Sequence, residues 1–199
     1  MTERTLSNAQ KHDLALLRTA AQERTWTELQ DTLKRLLATL EPLIALQVGA
    51  EQAQIFLPIF DTYYPEAGWV RELLLTVVSY ASAPGELPES AVNQFPKPGC
   101  GNFVRAVLDL SRSVQDKYTQ FERYSHITNG IANGILADLQ HVYFERRTGE
   151  FSFILDPEGD PKRKTIIHQK FWRDTAVVER DTAQWLKIAD SVEDKILKG

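Results

Sequence analysis

Between Asn102 and Arg147 the apolar and small residues recur in alternating steps of three and four: Val104, Val107, Ser111, Val114, Tyr118, Phe121, Ser125, Thr128, Ala132, Ile135, Leu139 and Val142. Such spacing keeps one stripe on one side of a helix and makes the seam of a coiled-coil-like packing. The seam is small in its middle, at Ser111, Ser125, Thr128 and Ala132, with Gly130 and Gly134 beside it, so a second helix can approach closely there. A continuous helix over this span would be about 65 Å long, against roughly 40–45 Å for the diameter of a compact chain of this size. It must bend, break or protrude. The repeated Asn129-Gly130 and Asn133-Gly134 dipeptides are turn signals, whereas the unbroken phase favours continuity. A bent but continuous helix is the expectation.

Around this element the chain divides into N-terminal helices over 1–81, a connection rich in Pro and Gly over 82–101, the long helix over 102–147, a hairpin over 148–172 and a last helix over 173–198. Helical spacing from Leu6 to Val48 fits two helices parted near Arg24 and Thr25. Thr25 and Glu28 are placed as a capping box, and Pro42 is placed to bend the last turns. After Gly49 two further helices split at Tyr64 and Pro65. Apolar on most faces, they belong at the centre of the fold. The connection holds four prolines and three glycines, too many for a helix or central strand, and marks a lid or docking loop. Two short β-branched and aromatic runs, 150–155 and 164–171, flank the turn-rich Asp156-Pro157-Glu158-Gly159-Asp160-Pro161 and predict one β-hairpin. Asp174 is placed as the N-cap of the last helix, with Val178, Trp185, Ile188, Val192 and Ile196 on one face. The fold class is mainly α: a single domain, a bundle of about five to six helices with one appended hairpin.

Hydrophobic residues make up 43% of the 199, enough to bury a core without covalent staples. One cysteine allows no internal disulfide, and the N-terminal twenty residues lack an apolar secretory core. The most apolar window, Trp69 to Ala83, carries Arg71 and Glu72, so no membrane insertion is expected. A cytoplasmic protein of bacterial type is the expectation. The net charge of -4 offers no global attraction to nucleic acid, which would need a local basic patch.

Several residues carry chemistry in principle. Cys100 precedes the long helix, where amide dipoles favour a thiolate, which makes it a candidate reactive thiol; the plainer reading is a small residue at a glycine-flanked helix start. Asp138 with His141, and Glu122 with His126, share helix faces but lack the further ligands a metal site needs, so neither metal nor cofactor is expected. Asp156, Glu158 and Asp160 alternate like a calcium loop, yet the glycine is displaced and Ile167 stands where the closing glutamate belongs. Lys162, Arg163 and Lys164 precede Lys170 and Arg173, with Phe171 and Trp172 interleaved, as in phosphate-contacting, base-stacking surfaces or a protected hairpin edge. Phosphate-binding loops, dinucleotide fingerprints and nucleophile elbows are missing from the sequence, so no enzyme is expected.

The leading functional expectation is a non-enzymatic protein-interaction module, an adaptor, assembly factor or regulator, that self-associates or binds a protein partner. The first alternative is nucleic-acid binding through Arg163, Lys164, His168, Lys170, Phe171 and Trp172. The second is a small-ligand sensor with a pocket along the seam at Tyr118, Phe121, Ser125, Thr128, Gly130, Ala132 and Gly134.

Overall fold

The computed structural model describes residues 5–79, 89–156 and 159–198. Among the described residues there are nine α-helices, one 3-10 turn and no strand. They are α1 (Asn8–Glu23), α2 (Trp26–Leu37), α3 (Pro42–Tyr63), α4 (Gly68–Val78), a 3-10 turn at Glu89–Gln94, α5 (Cys100–Ser113), α6 (Gln120–Phe144), α7 (Thr148–Leu155), α8 (Pro161–Phe171) and α9 (Thr175–Lys198). The chain is mainly α, as its periodicity requires, with more and shorter helices than five or six. The Pro/Gly-rich connection lies partly outside the described residues.

Local chemistry sets most boundaries. Ser7 and Gln10 close a capping box at the start of α1. At its end Arg24 adopts a left-handed conformation (φ 60°), and its N–H donates to the Ala20 carbonyl. Thr25 does precede α2, but its side chain makes no cap bond, so the expected box with Glu28 is not formed. Pro42 opens α3 at a first-turn position that needs no N–H donor, instead of bending the helix before it. The helix then runs through Gly49 and Pro58 to Tyr63, so Gly49 is interior. Its mean hydropathy of 1.3 and 22-residue length meet the requirement for a membrane span, which the 69–83 stretch was expected to come nearest, and half of its most apolar stretch is buried inside the bundle.

The seam over 102–147 belongs to two helices, not one. It breaks between Val114 and Thr119, and α6 folds back antiparallel along α5: Asn133 donates to the Asp109 carboxylate at 3.3 Å, while Tyr118 and His126 meet at the turn. The repeated Asn-Gly segment stays helical inside α6. Packing outweighs its turn propensity because each glycine faces a neighbour at close quarters. A Cβ on Gly130 would lie 2.9 Å from the Leu110 side chain of α5, and one on Gly134 would lie 3.3 Å from Gln52 of α3. The core gathers α3, α5, α6 and α9 around the fully buried Phe56, Phe60, Phe103 and Trp185.

No hairpin occurs over 148–172; the segment forms α7 and α8. Asp160 accepts a hydrogen bond from the Lys162 amide at 2.9 Å, and Pro161 takes the first helical position, a start signal that overrides the β-branched run behind it. Wound as a helix, Ile167 and Phe171 fall four residues apart and share the buried side of α8. No residue of α7 is fully buried; Phe151, Phe153 and Ile154 pack part-exposed against the core. The two helices form a flap over the C-terminal half of α6. Asp174 caps α9, accepting from the Ala176 and Val177 amides at 3.1 and 3.3 Å.

Candidate functional site: a cleft beneath the α7–α8 flap

The flap does not close down on α6. Between them lies a cleft of about 720 Å³, in the size range of small-molecule sites. Its walls are Leu136, Gln140 and Phe144 of α6, Phe151 and Ile154 of α7, and a strip of α8 running from Pro161 through Lys164, Thr165, His168, Gln169 and Phe171 to Trp172. The aromatic floor is ordered by mutual contact. The Phe144 and Phe171 rings lie nearly parallel, 5.8 Å apart at 5°, with Phe151 tilted against Phe144 at 5.1 Å and Trp172 edge-on to Phe171 at 4.8 Å.

Polar groups sit on the α8 side. With about 100° between successive helical residues, Lys164, His168 and Trp172 line up on the face that looks into the cleft. The Trp172 indole N–H donates to His168 Nε2 at 3.2 Å, which fixes the orientation of an otherwise exposed imidazole. Thr165 donates its hydroxyl proton to the Pro161 carbonyl at 2.9 Å. The wider aromatic cluster continues away from the cleft: Trp172 meets Trp26 edge-on at 5.5 Å, and Trp26 meets Trp185 in the same way.

The other basic residues point elsewhere. Lys170 reaches the Glu150 carboxylate at 3.7 Å along a separate polar groove, and the Arg163 guanidinium lies over the Phe153 ring at 4.5 Å. The cations expected to form one surface with Lys164 and Trp172 are therefore divided between two sides of α8. Phe171 is buried beneath them.

The small-residue seam holds helices, not a ligand. Thr128 is buried with its hydroxyl donating to the Tyr124 carbonyl, and Gly130, Ala132 and Gly134 are covered by neighbouring helices. Ser125 is half-buried and donates to the Phe121 carbonyl; Phe121 itself is 66% exposed, with Lys34 over its ring; Tyr118 lies in the α5–α6 turn. The pocket expected there is corrected by the close approach of α5 and α3.

Cys100, expected just ahead of a helix, is the first residue of α5; it is fully buried, and burial pushes its thiol up to about 12. Desolvation outweighs any favourable amide dipole, so the thiol stays protonated at neutral pH. Asp138 does not pair with His141 for a metal. It is buried and bidentately bound by the Arg180 guanidinium, with Gln184 donating to the same carboxylate. Glu122 is spent on the α6 capping box, and Asp160 on the α8 cap. Glu158 lies outside the described residues.

Leu136, Gln140, Phe144, Phe151, Ile154, Thr165 and Gln169 were not singled out by sequence. They come from three segments whose convergence depends on reading 148–172 as helices, and the Asp160-Pro161 start signal was the available clue. No known protein family, curated protein or solved structure matches this chain.

Proposed function

We propose that the chain is a non-catalytic binding protein that holds a small, largely apolar molecule in the cleft between α6 and the α7–α8 flap. The observation that carries this reading is a cleft of about 720 Å³ lined largely by apolar and aromatic side chains, with its polar groups on α8 except for Gln140 of α6. Apolar walls with a few convergent polar groups are the usual make-up of a ligand site. The pocket-between-helices reading is kept, with its location moved from the seam to the flap.

The test is titration with the neutral dye Nile red. The intact chain should enhance its emission saturably, and Leu136→Trp, which fills the cleft from α6, should lower that enhancement about tenfold at equal helicity. Equal enhancement by both proteins would reject the cleft as the site.

A protein-interaction role stands as the second reading, supported by Leu155 and Ile166, 51% and 52% exposed on the flap. The seam that suggested self-association is largely satisfied within one chain by α5 packing on α6, so support for this reading comes from exposed apolar side chains such as these.

A further inference from the structure

Resting on the cleft reading, we propose that the bound molecule is an aromatic carboxylate, its ring against the aromatic lining at Phe151 and Trp172 and its acid group against Lys164 and His168. The hydrogen-bond polarity of the rim leads to this class. Trp172 donates to His168 Nε2, so the neutral imidazole carries its proton on Nδ1 and is a donor there. Lys164, four residues before His168 on the same face, brings three further N–H donors and a full charge.

Nothing among the groups lining the cleft opposes an anion. None of its twelve lining residues is acidic. The competing cations are occupied elsewhere, Lys170 with Glu150 and Arg163 with Phe153, which leaves Lys164 as the cation lining the cleft. Thr165 has spent its proton on Pro161, and Gln140 and Gln169 can each turn an amide NH2 toward a carboxylate. The part-exposed Phe151 and Trp172 rings, backed by the buried Phe144 and Phe171, present aromatic surface to a planar body. The cleft volume of about 720 Å³ has room for a bicyclic acid.

The experiment compares 1-naphthoate with its neutral counterpart of similar shape, 1-naphthalenemethanol, by isothermal titration calorimetry at low salt. The expected result is about fivefold tighter binding of the acid, because Lys164 is solvent-exposed and its attraction is partly screened. Lys164→Met should erase that preference while leaving the alcohol's affinity unchanged, and Lys162→Met, which lies outside the cleft, should keep it. Equal binding of acid and alcohol, or a preference surviving Lys164→Met, overturns the carboxylate assignment and leaves the cleft standing. If neither compound binds and Nile red is indifferent to Leu136→Trp, the cleft reading falls and takes this inference with it.

Discussion

Asp181 shows how much one side chain can bear in a helical core. It is fully buried on α9, with Oδ2 accepting from Arg24 Nε and from the Trp26 indole N–H at 3.4 Å each; its Oδ1 has no hydrogen-bond partner among the described residues. Burial raises its pKa above the ordinary 3.8, and the Arg24 and Trp26 contacts only partly offset this. The folded state therefore holds the proton more tightly than the unfolded chain. Stability attributable to Asp181 should fall as pH rises from about 3.8 through the raised folded value, the reverse of an ordinary ion-paired carboxylate. Asp181→Asn should remove this slope, which thermal melts of both proteins across pH 3.5 to 7 would reveal as a difference that changes with pH; a constant difference would contradict it. None of this was legible from the sequence. Asp181 sits among apolar residues at helical spacing, and its partners lie about 155 positions away.

At the scale of elements, the helix starts decide what periodicity cannot. Thr119-Gln-Phe-Glu122 opens α6: the Thr119 hydroxyl accepts from the Glu122 amide, and the Glu122 carboxylate accepts from the Thr119 amide at 2.7 Å. Those bonds hold the Glu122 carboxyl below its usual range. Thr119→Ala should cost about 1 kcal/mol in urea unfolding, whereas Thr25→Ala, which loses no cap bond, should cost less than half as much. Both threonines carry the same pattern in sequence; the one given weight was the one that goes unused. The α5–α6 turn was hidden for a related reason. A seam whose two halves pack on each other keeps its phase across the turn, so regular spacing records which face is buried but not how many helices share it. The hairpin assignment failed because Thr165-Ile166-Ile167 favours strands only weakly against a formed cap and a buried Ile167–Phe171 pair. The central placement of α3, the break at Arg24 and the Asp174 cap of α9 were readable, since each depends on neighbours within a few residues.

Across the whole molecule, the buried polar groups tie distant segments together. Gln52 of α3 donates to Gln184 of α9 at 2.6 Å, Gln184 donates to Asp138 of α6, and Arg180 closes the chain with a bidentate pair. Removing one partner from a fully buried ion pair costs roughly 3–5 kcal/mol because a charge is left uncompensated. The Arg180 side chain is 47% exposed, so Arg180→Met should cost about 2 kcal/mol, and adding Asp138→Asn should recover at least half of it. Additive losses in the double variant, measured by chemical unfolding, would show that the two residues act independently. The cleft was beyond sequence reasoning at this same scale, because its floor joins α6 to two helices read as strands.

The flap is attached through few wholly buried side chains, Ile167 and Phe171 of α8 and none of α7, while the bundle below it is closed around large aromatic residues. Free energies of opening are not uniform in such a molecule; a segment with little fully buried surface detaches at a fraction of the cost of global unfolding. An occupant of the proposed cleft would therefore be coupled first to a local equilibrium, favoured by a docked flap and disfavoured by a lifted one, before the scaffold of α3, α5, α6 and α9 is touched.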